Sequence, residues 1–126
     1  MKEIIRTSNA PEPKGIYNQA IVANGFVYVS GQACVNPETN DFALGTIESE
    51  TDQTMSNIKN ILAAAGCSMN DVVKCNVYLV DMADFPAMNG IYQKYFDEGS
   101  YPARTTIACG LGAGIKVEID AIAVKP

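Results

Sequence analysis

The chain has 126 residues, of which 48% are hydrophobic, so it is long enough for a packed core and too apolar for a disordered segment. Its net charge of −5, without a clustered basic run, disfavours nucleic acid and anionic membranes as main partners. Histidine is absent, which removes the commonest metal ligand and the usual base near neutral pH. Any acid–base chemistry therefore falls to carboxylates, tyrosine, lysine, cysteine or water.

The first third of the chain has the pattern of strands and turns. It lacks an apolar h-region, and no stretch of the chain approaches the roughly 18 apolar residues of a membrane span, so we expect a soluble, cytoplasmic protein. "KEIIRT" at 2–7 predicts a short strand, and "NAPEPKG" at 9–15 predicts a loop. "YNQAIVANGFVYVSG" predicts a hairpin that turns at Asn24-Gly25, and "NPETND" at 36–41 predicts another loop.

The remaining chain alternates helical and strand patterns. A helix is predicted over 51–65, because apolar residues recur there at helical spacing and Gly66 follows as a stop. "DVVKCNVYLVD" returns to the period of two that is typical of a strand. A second helix is predicted over 84–97, with Asp84 as its cap and Pro86 in its first turn. Strands over 103–109 and 116–124 complete the chain.

The element order βββαβαββ predicts one α+β domain over 1–126, a mixed sheet of about six strands with two helices on one face. Apolar residues nevertheless occupy both faces of several strands, for example Val27 and Val29 on one face and Phe26 and Tyr28 on the other. No further element is left to cover the second face, so we expect a homo-oligomer in which sheet packs against sheet. Four widely spaced cysteines without a CxxC motif are expected to be free thiols.

A glycine cluster near the C-terminus, "GLGAG" at 110–114, raises the possibility of a phosphate loop. Its glycines do not have the GxGxxG spacing, and the segment leads into a predicted strand, whereas a phosphate cradle needs a helix N-terminus. We therefore interpret 110–114 as the flexible turn of a hairpin between the last two strands.

Two charged residues, Arg104 and Glu118, interrupt the apolar patterns of the last two predicted strands. Charges inside strands are costly unless they are paired, exposed or functional. If the two strands form a hairpin, the side chains approach each other, and two interpretations follow. They form a structural ion pair or belong to an exposed face, or they form an anion site in which the guanidinium binds a carboxylate and the glutamate holds a water.

Four further positions each allow a functional and a structural interpretation. Tyr17 follows a loop and either contacts a ligand or belongs to the core. Ser30 and Gly31 end a predicted strand, where the glycine either lets a ligand approach the backbone or serves a turn. Asn89 lies within the second predicted helix, where its side chain serves packing or a hydrogen bond.

Six motifs, in order and over nearly the whole chain, resemble those of the RidA (YjgF) family of enamine/imine deaminases: "NAPEPKGIYNQA", "VYVSGQ", "NIKNILAAAG", "VYLVDMADFPAMNGIYQKYF", "YPAR" and "VEIDAIAV". The resemblance implies a chorismate-mutase-like fold and a homotrimer whose sheets form a central barrel, with clefts between subunits. It also implies hydrolysis of 2-imino acids, formed from 2-enamino acids such as 2-aminoacrylate, to 2-keto acids and ammonia, with no metal or organic cofactor.

The resemblance also assigns roles to individual residues. By the motif positions, Arg104 grips the substrate carboxylate and Glu118 orients the attacking water. The expected substrate-binding wall comprises Tyr17, Ser30, Gly31, Asn89 and Thr106. Thr106 stands where many members have cysteine, and the glycine loop is about one residue shorter than usual, which bears on substrate preference.

Two other functions stay open at the level of sequence. A non-catalytic regulatory module would bind small carboxylates in the same cleft without turnover. A ribonuclease or translation inhibitor, an activity ascribed to some relatives, is disfavoured by the acidic composition and the absence of histidine.

Overall fold

The computed structural model describes residues 1–126 and contains a main sheet of six strands. In chain order these are β1 (Glu3–Ile5), β2 (Ala20–Ala23), β3 (Phe26–Gln32), β6 (Val72–Leu79), β7 (Ala103–Ala108) and β8 (Val117–Val124). A small ribbon of β4 (Val35–Asn36) and β5 (Asp41–Phe42) flanks the loop predicted at 36–41. The sheet order is β1-β2-β3-β8-β6-β7, and only β6 and β7 are parallel. The predicted six-stranded mixed sheet is confirmed.

Both predicted helices are present with different bounds. Helix α1 (Ile47–Ala64) begins before residue 51, because Thr46 accepts a hydrogen bond from the Ser49 amide and caps the helix there. Helix α2 (Phe85–Tyr92) has Pro86 in its first turn, as predicted, but it ends before 97 in a 3₁₀ turn at Gln93–Tyr95. No helix has the length and apolar character that crossing a membrane requires.

The two faces of the sheet have different surroundings. The helices cover the face that carries Val27, Val77 and Ile119, which are fully buried against α1 and α2. The opposite face, here called the open face, has no covering element within the chain. It exposes several large apolar side chains: Ile4, Phe26, Tyr28, Ile107 and Val124. We expected an oligomer because one face of the sheet is apolar and has no cover, and the fold contains such a face.

The predicted hairpin between the last two strands is wrong. After α2 the chain forms β7 parallel to one edge of β6, and β8 then pairs with the other edge. The glycine loop therefore passes over the end of β6, where the Cys109 amide donates to the Leu79 carbonyl at 2.8 Å. Alternation of side chains predicts which residues share a face, but it does not predict which strand becomes the neighbour.

A buried carboxylate at the start of α1 ties the helix to the loop before β8. Glu50 is 0% exposed and accepts hydrogen bonds from the Lys116 amide at 2.8 Å and from the Gly45 amide at 3.2 Å. The Lys116 ammonium lies 3.2 Å from the same carboxylate. Burial raises the pKa of Glu50, but these hydrogen bonds and the ammonium charge outweigh it, so the pKa lies below its usual value. All four cysteines are free thiols, as predicted.

Candidate functional site

Arg104 is held by helix α2. It is half-buried on β7, in register with the buried Cys75, so its side chain lies on the helix-covered side of the sheet. The Cζ of its guanidinium lies 4.8 Å from the ring centre of Tyr92 and 5.3 Å from that of Phe85. Its Nη1 donates to Oδ1 of Asn89 at 2.6 Å. Stacking on two rings and one short hydrogen bond fix the orientation of the guanidinium plane.

No acidic side chain neutralises Arg104. The ion pairs of the chain are Arg6–Glu12, Lys116–Glu50 and Lys125–Glu3. The interpretation of Arg104 and Glu118 as a structural ion pair is therefore wrong. A cavity of about 350 Å³, here called the arginine pocket, opens beside the guanidinium and is lined by Asn89, Tyr92, Gln93, Tyr101, Pro102 and Arg104.

Two buried hydroxyls near Arg104 have no hydrogen-bond partner. Tyr92 is 4% exposed, and burial raises the pKa of its phenol. Thr106, two residues beyond Arg104 on the same side of β7, likewise has an unpartnered hydroxyl. Unpaired buried polar atoms are uncommon in folded proteins, so these two hydroxyls are an unusual feature of the surroundings of Arg104.

Glu118 lies on the open face of β8, opposite Tyr78 of β6. It is half-buried and forms no ion pair. Burial, and then the negative charge of Asp120, raise the pKa of its carboxyl. Gly31 of β3 lies directly beside it, and a Cβ at this position would require the Glu118 carboxyl to move, because it would meet Oε2. The ionisable carboxyl of Glu118 thus lies against the backbone of Gly31, which carries no side chain.

Glu118 forms part of the wall of a second cavity, of about 300 Å³, here called the glutamate pocket. Tyr17 and Gly31 also line it. Gly112 and Ala113 of the glycine loop form another part of the wall, with the φ of Ala113 at 60°. The glycine loop therefore borders the pocket that contains Glu118.

Ser30 does not line the glutamate pocket. Its hydroxyl donates to the Asn18 carbonyl at 2.6 Å, and its amide donates to the Gln19 carbonyl at 3.0 Å. These bonds attach the loop that carries Tyr17 to the end of β3. Ser30 thereby positions the neighbouring Tyr17. No group of three or more histidine, cysteine, aspartate or glutamate side chains comes together as a metal site.

The two pockets lie on opposite faces of one chain. Arg104 pairs with Cys75 and Glu118 pairs with Tyr78, and residues three apart on β6 point to opposite faces of the sheet. Strand β6 also separates β7 from β8. The expectation that Arg104 and Glu118 approach each other within a chain is therefore wrong, and each pocket contains half of the predicted chemistry.

Neither Phe85 nor Tyr92 was among the predicted site residues. Their spacing from Asn89 carries a signal that was available in the sequence: positions 85, 89 and 92 share one face of a helix. A polar residue between two aromatic residues on one helical face suits a bound guanidinium, which stacks on rings and donates in its plane.

The chain matches known proteins over almost its whole length. The Endoribonuclease L-PSP family model matches residues 7–125. A RutC family protein of Pyrococcus horikoshii is 48% identical over 99% of both chains. The 2-iminobutanoate/2-iminopropanoate deaminase of Mus musculus is 41% identical over 99% of this chain and 93% of that relative.

The solved structures also include close neighbours of this fold. The structure of E. coli TdcF with bound serine superposes with a TM-score of 0.92 at 35% identity, covering 98% of this chain and 99% of that one. The expected chorismate-mutase-like fold is confirmed. The chain belongs to the RidA (YjgF) family, whose family model is described as Endoribonuclease L-PSP.

Proposed function

We propose that the protein hydrolyses 2-imino acids to 2-keto acids and ammonia. The observation that carries this proposal is Arg104, a cation with no acidic partner that Asn89 and two aromatic rings hold beside an open pocket. Such a guanidinium suits a small carboxylate ligand. The deaminase name of the mouse relative and the serine bound by E. coli TdcF support this substrate class.

We further propose that each active site forms between two copies of the chain in a homotrimer. Within one chain Arg104 and Glu118 point to opposite faces, so only a second copy can bring them to one substrate. The exposed apolar residues of the open face supply a surface that such an assembly would bury. In this arrangement one copy contributes Arg104, Asn89 and Thr106, and its neighbour contributes the glutamate pocket.

The chemistry follows from the two charges. Arg104 binds the carboxylate of the substrate and presents the imine carbon to a water held by Glu118. As the water oxygen adds to the carbon of the protonated imine, Glu118 accepts a proton from the water and the π electrons move to nitrogen. Glu118 returns this proton to the nitrogen of the resulting carbinolamine, and the C–N bond breaks. Ammonia leaves, the hydroxyl oxygen forms the C=O bond, and its proton is released.

Replacement of Glu118 by glutamine tests the proposed water-activating role. We expect about 100-fold slower ammonia release from 2-iminobutanoate generated in situ, because loss of a general base typically costs this much or more. Binding of 2-ketobutanoate should persist, since Arg104 is retained. The exposed Glu48 gives a matched control, Glu48→Gln, which should retain wild-type activity.

Two outcomes of this assay would count against the proposal. Wild-type protein that binds 2-ketobutanoate but releases ammonia no faster than buffer would identify a non-catalytic carboxylate-binding module. Wild-type activity in Glu118→Gln would remove Glu118 from the mechanism.

A further inference from the structure

A second carboxylate lies on the open face beside Glu118, and two donors hold it. Asp120 of β8 accepts a hydrogen bond from Nδ2 of Asn76 at 2.9 Å and another from the Tyr78 hydroxyl at 2.9 Å. Both donors come from strand β6, which pairs with β8 along its length. The bond to Asp120 is also the main reason that the pKa of Tyr78 is raised. Asp120 is thus fixed in place as a hydrogen-bond acceptor.

Asp120 and Glu118 are two residues apart on one strand and therefore share a face, with a separation of about 7 Å along the strand. The other titratable groups that face Glu118 are Tyr78, its partner on β6, and three residues that line the glutamate pocket: Glu12, Lys14 and Tyr17.

The nearby cations of the same chain are engaged elsewhere. Lys14, which lines the glutamate pocket, donates to the Asn40 carbonyl. Lys74, on the open face, donates to the Thr105 hydroxyl at 2.8 Å. Arg104 of the same chain lies on the opposite face. Asp120 is therefore the one fixed charge that lies next to Glu118 on its own strand and face.

We propose that Asp120 is a positioning residue whose fixed carboxylate sets the pH range in which Glu118 activates water. This inference rests on the proposed function. A negative charge at this distance opposes ionisation of Glu118 and makes its carboxylate a stronger base. The raised pKa of Glu118 agrees in direction, with burial as the larger cause and Asp120 as the second. The bonds from Asn76 and Tyr78 keep Asp120 from turning away from its neighbour.

The charge of Asp120 should shift the pH dependence of activity in a definite direction. Glu118 must be ionised to accept a proton from water, so activity falls as the pH drops through its raised pKa. Removing the charge of Asp120 lowers the pKa of Glu118. The acidic limb of the pH profile of kcat/KM should therefore move to lower pH in Asp120→Asn.

Carbon-13 NMR of protein labelled at the glutamate side-chain carboxyl carbon tests the effect of Asp120 on the titration of Glu118 without relying on turnover. The Glu118 signal is assigned by its loss in Glu118→Gln. We expect its titration midpoint to fall by about 0.5 to 1 pH unit in Asp120→Asn, on the Coulomb energy of charges this far apart. Asp97→Asn, which removes a charge from an exposed turn, should leave the midpoint unchanged.

The outcomes separate this inference from the proposed function. A midpoint that stays in place or rises in Asp120→Asn overturns the role of Asp120. The proposed function is unaffected by that outcome, because it rests on Arg104 and Glu118. A midpoint that falls supports the role of Asp120 even if 2-iminobutanoate is not turned over. If Asp120→Asn does not fold, Asp120→Ser, which is smaller and also neutral, should give the same shift.

Discussion

Arg104→Ala is expected to lower kcat/KM for 2-iminobutanoate about 1,000-fold while the fold is retained. The reason is the loss of a bidentate interaction with the substrate carboxylate, in which each charge-assisted hydrogen bond contributes about 1.5–3 kcal/mol. The side chain lies half-buried on the edge strand β7 and forms no ion pair, so its removal leaves no unpaired partner charge. Ammonia release and circular dichroism on the same sample separate loss of activity from loss of fold.

The chain provides a matched control for this substitution. Arg6 is the only other arginine, and its side chain is exposed in a surface pair with Glu12. Arg6→Ala should keep full activity, since exposed pairs contribute little. Arg104→Lys retains the charge without the planar fork and should recover only a small part of the lost activity. Equal activity in Arg104→Ala and wild type would eliminate the proposed carboxylate anchor.

Glu50→Ala is expected to destabilise the protein by about 2–4 kcal/mol, because it leaves the amides of Lys116 and Gly45 without an acceptor in a buried site. The ammonium of Lys116 adds less to this loss, since its side chain is partly exposed and can turn to water. Urea denaturation measures the change. Glu48→Gln, on the exposed side of the same helix, should stay within about 0.5 kcal/mol of wild type. A similarly small effect of Glu50→Ala would show that the buried carboxylate does not stabilise the fold.

The buried Glu50 carboxylate also predicts how the unfolding free energy depends on pH. Because the pKa of Glu50 is lower in the folded chain than in the unfolded chain, its ionisation stabilises the fold fully above the unfolded value. That contribution is lost as the pH falls through the lower, folded pKa. The difference in unfolding free energy between wild type and Glu50→Gln should therefore shrink in acid and be constant near neutrality. A difference that grows on acidification would contradict the lowered pKa.

The sequence predicted the features of this protein that depend on local pattern. Alternation along 72–79 and 117–124 identified strands with one buried face, and helical spacing of apolar residues identified α1. Arg104 and Glu118 were recognisable because a charge within a strand is unusual. The exposed Phe26 and Tyr28 were predicted from the lack of any element to cover them.

The parts that escaped prediction depend on contacts between distant segments. The position of β6 between β7 and β8 follows from pairing, which alternation does not encode. Glu50 was missed because its partners, at 45 and 116, lie in loops that meet only in the fold. Thus the sequence identified the two charged residues, whereas only the structure revealed that they lie on opposite faces.

Activity in mixed trimers of two inactive variants tests most directly whether Arg104 and Glu118 of different copies form one site. Arg104→Ala and Glu118→Gln chains are unfolded together in equal amounts, refolded, and assayed for ammonia release from 2-iminobutanoate. Random assembly of a cyclic trimer places both intact residues at about one quarter of the interfaces, so about a quarter of wild-type activity should return. Each variant refolded alone should stay inactive. A mixture as inactive as its components, in trimers shown to contain both chains, would contradict an active site shared between subunits.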